Sequence, residues 1–250
     1  LLSRTLVCPI WGDMSPELYD LLLGHEVGHA KNTPKQGWHD AVVENKRPGF
    51  KTYLNVVEDA RIERKIKEEY PGLRGPFSKA YQELARKEFF GPAHIIESED
   101  LPLIDRINLH FKIGAFANVR FNVTEQKFVD AVAKTDTWDD AWKVTEQLYA
   151  YGKQENKSMR DKLEELMQDL EFDYQNNDDE GEDPLGEDSD DFNSSGFSDD
   201  EMQELQDILN KSGDNDGGGE TDDESPRSIT DTFFRQKEDN LLDEKARPYL

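Results

Sequence analysis

Apolar residues recur at helical spacing over most of the chain between residues 15 and 172. The pair Ser15-Pro16 predicts the start of the first helix, because a serine side chain caps a helix N-terminus and proline is accepted in the first turn. Asn32 and Pro34 then end this helix near residue 31. The same pattern predicts six later helices, at about residues 51–70, 78–90, 103–117, 124–133, 138–151 and 156–172.

One short segment near the start of the chain has strand character. Residues Arg4 to Ile10 read RTLVCPI, a short run with β-branched residues. We find no internal repeat in the sequence. The pattern therefore predicts a mainly α fold of the α+β class, in which a helical bundle carries a small β edge.

The negative charge of the chain is concentrated in one segment. The 250 residues include 55 acidic and 30 basic ones, for a net charge of −25. Residues 161–224 hold 26 of the acids and only two lysines, so the rest of the chain is nearly neutral. Because such a segment has too little apolar surface to offset its chain entropy, we expect a disordered acidic linker at 173–225. The charge opposes binding to nucleic acid, which needs a basic surface.

Cysteine content and hydropathy exclude several protein classes. Cys8 is the single cysteine, so an internal disulfide and a multi-cysteine metal cluster are excluded, and a reducing cytoplasm fits best. No apolar run reaches the roughly 20 residues of a membrane span, and no signal peptide is visible. The chain begins at Leu1 rather than Met, and we expect it to be part of a longer protein.

The segment His25-Glu26-Val27-Gly28-His29 is an HExxH motif inside the first predicted helix. Residues four apart lie on one face of a helix, so two imidazoles at this spacing can converge on one metal ion. The glutamate beside the first histidine can take a proton from a water molecule that the metal activates. The motif therefore predicts His25 and His29 as Zn²⁺ ligands and Glu26 as the catalytic base.

A catalytic zinc site needs a third protein ligand and an open fourth position. In the second long helix, Glu58 interrupts the apolar row Leu54, Ile62 and Ile66, where an unpaired charge would be costly. We therefore predict Glu58 as the third ligand. The alternative for Glu58 is an ion pair with Arg61.

Asp59 is the alternative third ligand. It lies in the row Asn55, Asp59, Glu63, which is polar and is expected to face solvent. If Asp59 is not the ligand, then Asn55, Asp59 and Arg61 are candidates for the groups that orient the histidines or polarise the substrate. His39, in a polar loop, is expected to be a surface residue.

The run LYDLLLGHEVGHA followed by NVVEDARIERKIKEEYPGLR resembles predicted zinc metallopeptidases of the zincin type encoded by tailed phages. These proteins carry a von Willebrand factor A-like region after the peptidase part. The Glu-Asp-x-Arg-x-Glu run is similar to segments of bacterial proteins that pair such a region with an ATPase. The resemblance covers about residues 4–90, and it would place the protein in the host cytoplasm.

The resemblance implies a zincin-like metallopeptidase domain at residues 1–172, with His25, His29 and Glu58 as ligands in the gluzincin manner. The acidic linker at 173–225 and a short C-terminal segment at 226–250 follow, the latter as the start of a missing von Willebrand factor A-like domain.

Two features depart from the family. Gluzincins often place an acidic residue four positions after the ligand glutamate, where this chain has Ile62; with Asp59 as ligand, Glu63 would fill that position. Only 14 residues of this sequence precede Ser15, so we expect either that most of the usual sheet is missing from this fragment or that the fold is reduced.

Three functional hypotheses follow. The first is a zinc metalloendopeptidase of the HExxH type that acts on a peptide or protein substrate. The second is a non-catalytic interaction module with a structural zinc, which docks a protein partner, such as an ATPase, through the acidic linker; a fourth protein ligand would favour it. The third is an acidic DNA-mimic or chaperone-like protein in which the HEVGH run is accidental.

Overall fold

The structure is a computed structural model that describes residues 14–41, 45–97, 101–176 and 225–246. These residues are mostly helical, and no β-strand occurs among them, which confirms the predicted mainly α class. The α-helices are α1 (Pro16–Asn32), α2 (Lys35–His39), α3 (Phe50–Glu69), α4 (Arg74–Arg86), α5 (Ala93–Ile96), α6 (Leu103–Ile113), α7 (Val123–Ala133), α8 (Trp138–Asn176) and α9 (Ile229–Ala246). The predicted strand Arg4 to Ile10 and nearly all of the predicted acidic linker lie outside the described residues.

The described residues fall into two units. One comprises the described parts of 1–152 together with 225–246, and the other is the part of α8 from Lys153 onwards. None of the described helices has the length and apolar character that crossing a membrane requires.

Helix α1 begins where the sequence predicts. The Ser15 hydroxyl accepts a hydrogen bond from the Leu18 amide at 3.1 Å, and Pro16 occupies the first turn. The helix packs against α3 and α4 through the buried residues Leu18 and Leu21. Gly28 allows a close approach to α3, because a Cβ atom there would lie 2.9 Å from Ile62 Cδ1. This contact brings the HEVGH turn against the middle of α3.

Helix α3 is the centre of the fold, and it is buried on more than one face. Its apolar residues Leu54, Val57 and Ile62 are fully covered, as their pattern predicts. The polar row Asn55, Asp59, Glu63 is also buried, so the expectation that this row faces solvent is wrong. The reason is that α6 and α9 pack against α3 and supply polar partners for the row.

Helix α8 joins two segments that the sequence predicts as separate helices, 138–151 and 156–172. Gly152 lies at the expected break, yet the helix continues through it. A Cβ atom at this position would lie 2.1 Å from the Tyr53 hydroxyl oxygen, so the glycine makes room for the Tyr53 ring. Its role is close packing rather than helix termination.

Residues 225–238 of the C-terminal segment pack on α3 and α6. The segment is non-helical up to Ser228, and α9 follows. Phe234 is buried, with its ring centroid 5.8 Å from that of Phe89 and 5.6 Å from that of Phe90. The predicted boundaries at 172 and 226 stay predictions, and residues 247–250 lie outside the described part.

Candidate metal centre

Helix α1 presents His25 and His29 side by side on the face that meets α3. Their ring centroids are 4.7 Å apart and their planes are inclined by 77°. This is the arrangement that the i, i+4 spacing predicts for two ligands of one ion. The side chains are 12% and 22% exposed, so the pair is largely screened from bulk water.

Asp59 of α3 completes a group of three. Its Oδ1 atom lies 3.1 Å from Nε2 of His29 and 3.7 Å from Nε2 of His25, and the ligand atoms all lie within 4.8 Å of one another. Ligand atoms about 2.0 to 2.1 Å from a tetrahedral zinc ion are separated by roughly 3.3 Å. The three side chains could therefore hold a metal ion with little rearrangement.

The other ring nitrogen of each histidine also has a partner. Nδ1 of His25 lies 3.1 Å from a Glu63 carboxylate oxygen, and Nδ1 of His29 lies 2.9 Å from the Thr33 hydroxyl. The Thr33 hydroxyl donates its own proton to Glu58 Oε1 at 2.5 Å, so it accepts from His29. A carboxylate likewise accepts from His25. These contacts favour the tautomer in which each Nδ1 carries the proton and each Nε2 offers a lone pair.

In this tautomer, neither Nε2 atom has a proton to donate to Asp59. Two Nε2 lone pairs and one carboxylate oxygen facing each other repel, unless a cation lies between them. Burial lowers the pKa of His25, but the carboxylates of Asp59 and Glu63 outweigh it and raise that pKa above its usual value. The group therefore attracts positive charge, which a proton or a metal ion can supply.

The two oxygens of Asp59 have different partners. Oδ2 accepts from Lys112 Nζ at 2.9 Å and lies 3.4 Å from an Arg235 guanidinium nitrogen, while Oδ1 faces the histidines. Burial alone would raise the pKa of Asp59, but Lys112 and His25 hold it well below its usual range. Asp59 is thus an ionised carboxylate with one oxygen available, which suits a ligand that binds through a single atom.

Glu63 lies behind His25. Its Oε1 atom accepts from the Tyr81 hydroxyl as well as facing His25, and Lys67 lies 3.4 Å from Oε2. Burial would raise the pKa of Glu63, but the hydrogen bond with His25 and the charges of Lys67 and Lys112 lower it to about 2. Glu63 therefore stays charged and fixes the imidazole orientation. It is the acidic residue four positions after Asp59 that the alternative ligand would have in the gluzincin pattern.

Glu58, the preferred third ligand in the sequence interpretation, lies outside the group. Arg61 donates to both of its carboxylate oxygens, at 2.8 and 2.6 Å, and the Thr33 hydroxyl binds one of them. The ion pair that the sequence offered as the alternative for Glu58 is therefore present. Neighbouring residues on a helix point about 100° apart, and it is the Asp59 side of α3 that faces the histidines.

The other predicted residues have structural partners. Arg61 also donates to the backbone carbonyls of Asn32 and Asp136, which ties α3 to the end of α1 and to the connection between α7 and α8. The Asn55 amide donates to Asp231 of α9 at 3.1 Å. Neither contacts the histidines. His39 is exposed beside Asp40 and does not belong to the group, so the described residues supply three candidate ligands.

Glu26 lies beside His25 and lines a small cavity with it. The cavity measures about 10 Å³, roughly the space that one water molecule needs. Within the described part of the chain, Glu26 has no hydrogen bond or ion pair. The other residues around the cavity are Leu21, Leu22, Tyr81, Phe234, Arg235 and Glu238.

Sequence reasoning missed Thr33, Lys112 and Arg235. Lys112 offered a weak signal, because this lysine stands near the end of an apolar helical pattern. In the structure it is almost fully buried. Arg235 offered none, since it lies beyond the acidic segment in a stretch rich in charge.

Comparison with protein-family models, curated proteins and solved structures finds no match, so the geometry of the site carries the functional argument.

Proposed function

We propose that this chain is a zinc-dependent metallopeptidase that uses His25, His29 and Asp59 as metal ligands and Glu26 as general base. The observation that carries the proposal is the convergence of the two Nε2 atoms on Asp59 Oδ1, with both Nδ1 atoms hydrogen-bonded away from it. Two imidazoles and one carboxylate are a donor set that zinc accepts, and three ligands leave a fourth position open. The resemblance of the HEVGH run to zincins supports the same class.

The chemistry assigns a distinct task to each residue. When bound, the metal ion would polarise the peptide carbonyl and acidify a water molecule. The Glu26 carboxylate takes a proton from the water that attacks the carbonyl carbon, and it returns this proton to the amine nitrogen as the C–N bond breaks. Glu63 and Thr33 hold the imidazoles in the orientation and tautomer that ligation needs.

A Glu26→Gln variant tests the catalytic part of this proposal. It should fold, keep the metal content of the parent and lose at least about 100-fold in hydrolysis of a fluorescent casein, because an amide cannot accept the proton. Glu17→Gln on the same helix is the matched control, since Glu17 pairs with Lys79 away from the centre, and it should keep full activity. Full activity in the Glu26 variant would contradict the mechanism.

The second candidate is a non-catalytic metal-containing module that docks a partner. The small cavity beside Glu26 favours it, because its volume of about 10 Å³ is roughly that of one water molecule. This hypothesis expects one metal ion per chain and no hydrolysis by the parent across a panel of unfolded and folded protein substrates. Metal-dependent hydrolysis by the parent would exclude it.

A further inference from the structure

The C-terminal segment is anchored by buried polar contacts. Asp105 Oδ1 accepts from the Ser228 hydroxyl at 2.8 Å and from the amide and hydroxyl of Thr230 at 2.8 and 2.7 Å. The Asn108 amide donates to the Thr230 hydroxyl at 2.9 Å. Because each of these groups is almost completely buried, a shifted segment would leave several of them unpaired. The start of α9 is therefore held in one register.

That register brings one arginine to the metal centre. Asp231 accepts from Asn55 of α3, and one turn later Arg235 lies 3.4 Å from Asp59 Oδ2. The Arg235 guanidinium is itself held between Asp231, 3.7 Å away, and Glu238, 3.3 Å away. Its side chain is 36% exposed, so it reaches Asp59 from the surface rather than filling the core.

We propose that Arg235 is a positioning residue of the metal centre, which holds Asp59 Oδ2 so that Oδ1 stays directed at His25 and His29. The proposal rests on the proposed metal centre and adds to it a residue that lies 176 positions after Asp59 in the sequence. Lys112 binds the same oxygen from α6, so the carboxylate is held from two sides. In consequence, α9 is an integral part of the centre.

The direction in which metal affinity changes when the Arg235 charge is removed distinguishes a positioning role from mere proximity. A cation beside a metal site repels the metal ion, so deleting the Arg235 charge would by Coulomb's law alone tighten metal binding. Loss of a group that orients a ligand has the opposite effect, and such losses typically weaken metal binding by about 10- to 100-fold. If Arg235 positions Asp59, removing the Arg235 charge should therefore weaken metal binding rather than tighten it.

The experiment uses the full chain and titrates Co²⁺, followed by its absorption bands, and Zn²⁺, by competition with a coloured chelator. Arg235→Met should weaken both metals at least about tenfold and alter the cobalt spectrum. Arg235→Lys should recover most of the affinity. Lys237→Met is the matched control on the same helix, because Lys237 binds the Lys87 carbonyl away from the centre, and it should match the parent.

Unchanged or tighter binding by Arg235→Met, with a cobalt spectrum like that of the parent, would overturn the proposal. An equal loss in Lys237→Met would do the same, because it would reveal a general effect of α9 docking. A parent that binds neither metal would instead refute the metal centre itself, a distinct outcome. If Arg235→Met does not fold, Arg235→Gln replaces it in the same comparison.

Discussion

At the residue scale, the central feature is that three nearby carboxylates of α3 have different partners. Asp59 turns one oxygen to the histidines and the other to Lys112 and Arg235. Glu63 fixes His25 from behind, and Glu58 is occupied by Arg61 and Thr33. Three buried acids within six residues of α3 thus have three different environments. The environment of each acid is set by its partners, which lie on the neighbouring helices for Asp59 and Glu63 and include Arg61 of α3 itself for Glu58.

The different task of Glu58 predicts a stability effect. Glu58→Ala leaves the Arg61 guanidinium buried without its carboxylate, and breaking a buried pair in this way costs about 3 to 5 kcal/mol. Glu68→Ala is the matched control, because the Arg64–Glu68 pair on the same helix is exposed, and its loss should cost no more than about 1 kcal/mol. Urea unfolding of the three proteins measures both values; equal stabilities would contradict the assignment.

The sequence predicts His25, Glu26 and His29 by spacing alone, because one helical turn determines their relation. It prefers Glu58 to Asp59 as the third ligand, whereas the structure groups Asp59 with the histidines, and the reason for the difference is physical. Adjacent residues on a helix point in different directions, and the direction that faces α1 is set by tertiary packing. The polar row that includes Asp59 is covered by α6 and α9, which local pattern does not reveal.

At the scale of elements, close contact between helices depends on positions that lack a side chain. Gly28 lets α1 approach α3, and Gly152 gives the Tyr53 ring a place on α8. Helix propensity read from sequence treats both as weak points. In the structure both glycines instead favour packing, because a Cβ atom at either position would clash with a side chain of α3.

A pair of glycine substitutions tests this interpretation. In a helix, Gly→Ala usually stabilises by up to about 1 kcal/mol. Gly152→Ala should instead destabilise by about 1 to 3 kcal/mol, because its Cβ would lie 2.1 Å from the Tyr53 hydroxyl oxygen. Gly75→Ala in α4 meets no atom within 4 Å and should be neutral or slightly stabilising. Thermal unfolding of both variants gives the comparison, and a stabilised Gly152→Ala protein would refute the packing role.

At the scale of the whole molecule, the chain returns to its own core after the acidic segment. Residues 226–238 supply Ser228, Thr230 and Arg235, which bind Asp105, Asn108 and Asp59. Sequence analysis predicts the mainly α character, since it depends on local periodicity. It does not predict this docking, because polar residues that pair across 120 or more positions look like solvent-exposed ones.

The anchor at Asp105 predicts a pH dependence of stability. Burial raises the pKa of Asp105 to about 6, despite the hydrogen bonds from Thr230 and Ser228 that lower it. The native state therefore holds this proton more tightly than the unfolded state, whose carboxyl has a pKa near 3.8. This contribution to stability is present below about pH 4 and is lost as the pH rises through 6.

Asp105→Asn removes this titration. From pH 4 to 7.5, its stability relative to the parent should rise by up to about 3 kcal/mol, since two pKa units correspond to about that energy. Asp136→Asn is the control, because Lys65 lowers the pKa of Asp136 and any trend should have the opposite sign. Urea unfolding at several pH values follows both differences. A difference between Asp105→Asn and the parent that does not change with pH would contradict the assignment.

The most direct test of the central claim is the zinc content of the purified chain by elemental mass spectrometry, with Asp59→Asn and Glu58→Gln beside the parent. The His25-His29-Asp59 centre predicts about one zinc per parent chain. Asp59→Asn should lose it, because an amide oxygen is a poor substitute for the ionised ligand, while folded Glu58→Gln should keep it. Zinc retained by Asp59→Asn and lost by Glu58→Gln, or a folded parent without zinc, would contradict the account.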